Sequence, residues 1–203
     1  MNWLQPLVEV TILGLVPLVL INTGLIKGAH RFGVLAAAGL LMVADVVAFH
    51  IPAYSIGIRT DNLADALPWF VGLVVIAVCF IILIARLQRI TPIHKWWQDP
   101  HFRYLFIPIS IGQQFVFFGF IQSRLQEFIP TIITIIASAL IFASAHLMYR
   151  PRRQAFLVTF AAGIGFAACY AIAPNLIIGS VAHMMLNVTA VQRNLFSFPK
   201  NQE

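Results

Sequence analysis

Residues 105–124 read LFIPISIGQQFVFFGFIQSR, an apolar run that contains two adjacent glutamines, Gln113 and Gln114. A helix needs about 20 residues to cross the hydrocarbon core of a bilayer, and this run has that length. Inside a membrane, the simplest role of a glutamine is a hydrogen bond to a neighbouring helix. The run therefore predicts a membrane-spanning helix with one polar, inward-facing side.

The composition of the whole chain agrees with a membrane location. Hydrophobic residues make up 60% of the 203 residues and charged residues make up 10%, too apolar a balance for one water-soluble core. The formal net charge of +6 would suggest nucleic acid as the partner of a soluble protein. Here the basic residues lie in short loops beside apolar runs, which excludes nucleic acid and indicates the lipid bilayer as the partner.

Seven apolar runs are long enough to cross a bilayer as helices, so we expect an all-α integral membrane protein with about seven transmembrane helices. The expected spans are Leu7–Ile26, Phe32–His50, Leu67–Ala85, Leu105–Arg124, Pro130–Tyr149, Ala155–Ala173 and Asn175–Val191. The first run has no basic flank before it and no clear cleavage site, which predicts a retained span and not a removable signal peptide.

The lysines and arginines predict the orientation of these spans. Eleven of the thirteen fall in alternate loops, and only Arg59 and Arg124 lie on the other side. By the positive-inside bias, the N-terminus is expected outside and the C-terminus in the cytoplasm. The connection Arg86–Arg103 is basic and contains Trp96 and Trp97, so it is either an interfacial helix or a plain anchor.

Polar residues recur at helical spacing on three of the C-terminal spans. His183 and Asn187 stand four residues apart and share a helix face, with Gly179 one turn away. Phe142 and His146 make an equivalent row on another span. Counted from the basic flanks at about 1.5 Å per residue, the polar groups of the three spans reach similar depths in the cytoplasmic half of the membrane. We expect them to line one shared pocket.

Three fragments in this part of the chain, in the order Gln113-Gln114-x-x-x-Phe118, Phe142-x-x-x-His146 and His183-x-x-x-Asn187, resemble a known set of motifs. The pattern is similar to that of the CAAX-protease and bacteriocin-processing (CPBP/Abi) family of intramembrane proteases, which is Glu-Glu-x-x-x-Arg, Phe-x-x-x-His and His-x-x-x-Asn. The resemblance implies an Abi-like four-helix core in 103–192. Hydropathy and the basic loops predict three N-terminal helices with the basic connection in 1–102 and a cytoplasmic tail in 193–203. The resemblance also implies a prokaryotic plasma membrane.

The resemblance further implies roles for the motif residues. In the family the first glutamate activates a water, the two histidines hold that water or a metal, and the asparagine stabilises the oxyanion. Those roles would fall on Gln113, His146, His183 and Asn187, with zinc as the metal if the site works as a protease site. The sequence departs from the family where Gln113 and Gln114 replace the two glutamates and Phe118 replaces the arginine.

These departures bear directly on activity. An amide is not a base and is a poor zinc ligand, and a buried arginine is costly without a carboxylate, so joint loss of these charges fits a site that has lost catalysis. We expect a catalytically inactive homologue that acts as a binding or accessory subunit for a membrane protein partner or a lipid-like ligand.

Two alternatives stay open. One is an active intramembrane endopeptidase of the CAAX prenyl protease or bacteriocin-processing type, with His146 as a substitute base. The other is a pigment- or haem-holding subunit of an energy-converting complex, with His50, His146 or His183 as the ligand.

Two carboxylates lie near the outer side of the membrane. Asp45 falls inside the second span and is a functional candidate, with His50 as a possible companion in a proton path. Glu9 is expected to be solvated at the outer interface.

Overall fold

The computed structural model describes residues 4–28, 30–93, 95–98 and 100–195, and these form seven helical segments. The segments are α1 (Leu4–Glu9, Val10–Leu15 and Val16–Asn22), α2 (His30–Ala48), α3 (Leu63–Leu87), α4 (Pro100–Gln114, Phe115–Gln122 and Ser123–Gln126), α5 (Thr131–Ala145), α6 (Arg152–Ile172) and α7 (Leu176–Gln192). Short 3-10 turns follow at Ala53–Ile56, Trp96–Gln98 and His146–Met148. The described residues contain no β-strand.

The prediction of an all-α membrane protein is confirmed. Six helices, α1 to α6, are long and apolar enough to cross a membrane, and α7 is apolar but has 17 residues. In the basic connection, the structure places a 3-10 turn at Trp96–Gln98 and no longer interfacial helix among the residues it describes. The end of the predicted tail, from residue 196 onward, lies outside the described residues.

Helix α4 changes its hydrogen-bonding pattern directly after Gln114. Phe115–Gln122 form π-helical turns, and every residue of Phe117–Gln122 is buried. Because a π turn accommodates an extra residue, it changes the direction in which the following side chains point. The aromatic second half of the Gln113–Phe118 motif is thereby turned into the bundle.

Helix α6 approaches its neighbours through glycines. A Cβ added at Gly163 would lie 3.1 Å from Cα of Ala139 on α5, and one at Gly165 would lie 2.3 Å from Cδ1 of Leu73 on α3. Small residues let membrane helices approach closely enough for dispersion contacts to hold them together. As a result α3, from the N-terminal part, packs on α6 and α7 of the C-terminal part. The division of the chain at residue 102 stays a prediction.

The start of α7 ties together the loop after α2, the start of α3 and the end of α6. Asn175 is fully buried and caps the helix by accepting a hydrogen bond from the Ile178 N–H at 2.9 Å. Its amide also donates to Arg59 O at 3.0 Å and to Asn62 Oδ1 at 2.8 Å. The Leu176 N–H donates to Gly57 O, and Gly57 adopts φ +78 with Tyr170 where a Cβ would be. The loop after α2 is thus fixed against α6 and α7.

A buried ion pair joins α1 to α4. Glu9 Oε2 accepts from Arg124 Nε at 2.5 Å, and the side chains are 7% and 10% exposed. Arg124 also pairs with Glu127. The expectation that Glu9 is solvated is therefore wrong. The charge on Arg124, which counts as a loop cation in the sequence pattern, is retained at low exposure because two carboxylates neutralise it.

Replacing Glu9 by glutamine is expected to destabilise the protein by about 3 kcal/mol, because it leaves Arg124 buried with only the half-exposed Glu127 as an anionic partner. The measurement is the melting temperature of the purified protein in a mild detergent. Asp61→Asn is the matched control, since it removes the same charge from an exposed pair with Arg59, where the loss is below about 1 kcal/mol. Equal small shifts for the two variants would contradict a structural role for the Glu9–Arg124 pair.

Asn175→Ala is expected to destabilise the protein by about 2 kcal/mol, because the variant loses the helix cap and leaves buried acceptors without a donor. Asn175→Ser retains a capping oxygen but not the amide donors, so its melting temperature should fall between those of the wild type and Asn175→Ala. A wild-type melting temperature for both variants would rule out Asn175 as the tie between the loop and α7.

Candidate functional site

Two of the motifs meet in a hydrogen bond between α4 and α7. Gln114 Nε2 lies 3.0 Å from His183 Nδ1, and the two residues are 1% and 2% exposed. Gly179, one turn before His183, provides the space, because a Cβ there would lie 2.9 Å from Gln114 Oε1. The second motif glutamine, and not Gln113, is therefore the partner of the α7 histidine.

The chemistry of this pair follows from the amide. An amide nitrogen only donates, so with Gln114 Nε2 facing the ring, Nδ1 of His183 accepts and the ring proton resides on Nε2. A carboxylate at position 114 would do the reverse: it would accept from Nδ1–H and leave a lone pair on Nε2. With the amide in this orientation, His183 carries its ring proton on Nε2 and offers its lone pair on Nδ1 to Gln114.

The asparagine of the third motif has a separate partner. Asn187 Nδ2 donates to Ser110 Oγ at 2.9 Å, and the fully buried Ser110 donates to Phe106 O at 2.6 Å. This contact joins α7 to α4 one helical turn nearer the C-terminal end of α7 than the Gln114–His183 bond. The Asn187 amide nitrogen thus donates a hydrogen bond between two helices, which is a common structural role of amide side chains in membrane proteins.

His146 lies at the end of α5, in the 3-10 turn. Its Nδ1 is 2.8 Å from Phe142 O, and the residue is 7% exposed. A carbonyl oxygen only accepts, so Nδ1 carries the proton and Nε2 carries the lone pair. Among the two motif histidines, His146 is the one whose outward nitrogen can act as an acceptor.

Phe142 is the side chain that brings the three motif segments into contact. Its ring centroid lies 4.5 Å from that of His146, 5.6 Å from that of His183 and 5.6 Å from that of Phe118. Phe166 of α6 completes the group, stacked on His183 at 5.0 Å. Both histidines therefore contact the Phe142 ring. Aromatic side chains surround them, and they do not face an aqueous cleft.

Phe118 stands where the resembled family has its arginine. The residue is fully buried, and its ring also packs against Phe166 at 5.6 Å. The volume that a guanidinium would require is therefore filled with apolar contacts. With no buried cation at this position, neutral Gln114 needs no compensating charge.

Gln113, the other motif glutamine, is not joined to the histidines. It is half-buried, and its Oε1 is buried without a hydrogen-bond partner in the part of the chain that the structure describes. Ser138 Oγ, on the same face of α5 as Phe142, is also buried without a partner there. The structure therefore brings together Gln114, His183, Phe142, His146 and Phe118, places Asn187 with Ser110, and leaves Gln113 apart.

The site residues do not fit a zinc ion. Catalytic zinc sites use three protein ligands, commonly histidines with a carboxylate or cysteine. The described residues contain no group of three or more His, Cys, Asp and Glu side chains that could hold a metal, and His183 presents a protonated Nε2 toward its surroundings. Haem fits no better, because aromatic rings already cover both motif histidines.

The second candidate region, Asp45 with His50, is arranged differently from the expectation. Asp45 Oδ2 is buried without a hydrogen-bond partner among the described residues, and the charged groups near it are Glu9 and Arg124. His50 is exposed beyond the end of α2, with φ +51. The structure thus associates Asp45 with the α1–α4 ion pair and does not pair it with His50.

Sequence reasoning missed two features of the site. Phe166 carries no motif and contacts His183 only because α6 packs tightly on α5 at Gly163. The partnership of Glu9 with Arg124 joins residues 115 positions apart. A buried cation at the end of an apolar span was the available signal, since such a cation requires an anion nearby.

Comparison with known proteins gives one family match. Residues 95–189 match the model of the family described as type II CAAX prenyl endopeptidase Rce1-like. No curated protein and no solved structure gives a significant match to the chain. The matched segment contains all three motifs, and it confirms the resemblance that they indicate. The segment 95–189 of this chain is therefore similar to the Rce1-like CAAX prenyl endopeptidases.

Proposed function

We propose that this membrane protein is a catalytically inactive member of its family that acts as a binding or accessory subunit. The observation that carries the proposal is the Gln114–His183 hydrogen bond, buried at 1% and 2% exposure beneath the rings of Phe142 and Phe166. The bond occupies the family's site with a neutral pair that has no base to offer on Nε2.

Peptide hydrolysis requires a group that removes a proton from water, and such general-base catalysis contributes roughly 10²–10⁴-fold to the rate. Neither glutamine of the first motif can supply it. Water would also have to reach His183, which is sealed from solvent by α4 and by the aromatic rings. Because neither requirement is met, we infer that the residues at this site stabilise helix packing and do not catalyse hydrolysis.

Binding through the helix surfaces is more consistent with this core than binding inside it. Most of α2 faces outward: only 11% of its most apolar window is buried, and Leu40 and Val47 are more than two-thirds exposed. Lipid covers such a surface by default, and a partner helix or an acyl or prenyl chain covers it equally well. We propose that the protein meets its membrane protein partner or lipid-like ligand here.

The runner-up is an active intramembrane endopeptidase, favoured by a single observation. His146 Nε2 carries a lone pair and is therefore chemically able to accept a proton. In that case His146 acts as the base in place of the missing carboxylates, and the substrate approaches from the cytoplasmic end of α5.

The wild-type protein is expected to cleave a fluorogenic prenylated CAAX peptide no faster than His183→Ala, because no carboxylate is available at position 113 or 114. The protein is assayed in detergent and in liposomes with and without zinc. An active family member serves as the positive control, and its rate should exceed the wild-type rate by roughly 100-fold or more.

Gln113→Glu/Gln114→Glu/Phe118→Arg restores the family pattern and is the informative gain-of-function variant. Gln114→Glu alone disturbs packing less and reverses the His183 tautomer, so it shows whether a carboxylate at this position suffices for zinc binding. Cleavage by the wild type at the rate of the active control, abolished by His183→Ala or His146→Ala, would overturn the inactive assignment and establish the endopeptidase.

We also propose an external N-terminus and a cytoplasmic C-terminus from the alternation of basic loops, and a prokaryotic plasma membrane from the resemblance of the motifs. A reporter fused after Glu203 should be active only in its cytoplasmic form, and one fused before Met1 only in its external form. A cytoplasmic N-terminus would contradict the count of seven membrane crossings.

A further inference from the structure

The basic ends of four helices line a small cavity of about 110 Å³, and neither Gln114 nor His183 is among its lining residues. Its lining comes from the end of α1, the start of α2, the turn after α5 and the start of α6: Ile21, Asn22, Arg31, Leu147, Met148 and Arg152. All four segments are span ends on the same side of the membrane. The cavity therefore lies at the level where phospholipid headgroups meet the protein.

Arginines from two different helices line this cavity, Arg31 of α2 and Arg152 of α6. Arg31 is held by a hydrogen bond from its Nε to Ile26 O at 3.3 Å, which leaves its terminal nitrogens to bind other groups. Within the described residues, neither Arg31 nor Arg152 lies within 4.0 Å of a carboxylate. Two neighbouring cations with no internal anion create a site for an external one.

The distribution of charge in the chain strengthens this conclusion. Five of the seven acidic residues lie in the outer half of the bundle, and the other two, Asp99 and Glu203, fall outside the described residues. The acidic residues of the outer half are Glu9, Asp45, Asp61, Asp65 and Glu127. Since eleven of the thirteen basic residues are expected on the opposite side, the cavity faces a strongly basic surface that attracts anionic lipids.

We propose that this cavity binds the phosphate group of an anionic phospholipid. Arg31 and Arg152 donate hydrogen bonds to the phosphate oxygens, while Ile21, Leu147 and Met148 contact the glycerol backbone and the first methylenes of the acyl chains. The amide nitrogen of Asn22 donates a hydrogen bond to Ser144 O at 3.1 Å. The amide oxygen of Asn22 can therefore accept a hydrogen bond from a headgroup hydroxyl.

The dimensions and lining of the cavity favour a lipid headgroup over other anions. A volume of about 110 Å³ exceeds the roughly 30 Å³ of one water but is below the roughly 300–1,000 Å³ of sites that enclose whole ligands. The cavity volume therefore suits the phosphate group of a larger molecule, with the rest of that molecule outside the cavity. Half of the lining is apolar, which a free phosphate would not use and a lipid would. The proposal does not depend on whether the protein is an active protease.

The test measures binding of phosphatidylglycerol carrying a fluorophore on its acyl chain to the purified full-length protein in a mild nonionic detergent. Phosphatidylglycerol is expected to compete at least tenfold better than phosphatidylcholine. Arg31→Gln/Arg152→Gln should weaken its binding by roughly tenfold or more, since each arginine contributes charge-assisted hydrogen bonds.

The matched control is Arg86→Gln/Arg153→Gln, which removes two exposed charges from the same basic face without touching the cavity. The affinity of this control variant for phosphatidylglycerol should differ from that of the wild type by less than about twofold, because charges outside the cavity act on the lipid only through salt-screened long-range attraction. Gel-filtration profiles and melting temperatures establish that both variants are folded.

Three results would overturn the proposal. Equal losses in the two double variants would mean that the whole basic surface, and not the cavity, attracts the lipid. Equal competition by phosphatidylcholine would mean that the anionic charge is not recognised. Competition by inorganic phosphate as strong as that by phosphatidylglycerol would assign the cavity to free phosphate instead of a lipid.

Discussion

The two polar centres of this bundle depend on partners within the protein, because the hydrocarbon around the helices offers none. This constraint explains the arrangement of both polar centres. Arg124 is buried only where Glu9 and Glu127 neutralise it, and Gln114 is buried only where His183 accepts its amide hydrogen. A charged residue left alone in the same place would cost several kcal/mol, whereas a neutral pair of amide and imidazole costs little.

The uncharged residues at the motif positions therefore form one consistent set. With glutamines at positions 113 and 114, an arginine at position 118 would be a buried cation without an anion. Phenylalanine there instead fills the space between Phe142 and Phe166. The hydrogen bonds and the aromatic packing now stabilise the helix interfaces that hold the site. The same residues that would serve catalysis in a charged site serve cohesion in a neutral one, and for this reason we favour a binding role.

The two ends of the bundle have opposite electrostatic character, and each end uses it differently. At the end of the bundle that contains Glu9 and Glu127, these acidic residues neutralise Arg124 and help fix α1 to α4. At the basic end, Arg31 and Arg152 converge on a cavity without a carboxylate nearby. The 3-10 turn that carries His146 also supplies Leu147 and Met148 to that cavity. A headgroup bound there would contact the turn that positions one of the two motif histidines.

Length, hydropathy and helical spacing are local properties of the chain, and they suffice to predict the fold class, the approximate positions of the membrane helices and the three motif segments. They also predict that Gln113, His146, His183 and Asn187 reach similar depths. Only the tertiary structure decided that Gln114 and not Gln113 meets His183, that Asn187 bonds to Ser110, and that Glu9 is buried with Arg124. These pairings depend on the rotation of each helix about its axis. That rotation is set by close packing at Gly163, Gly165 and Gly179 and by the π turns after Gln114, which act between segments distant in the chain and leave no periodic signal in it.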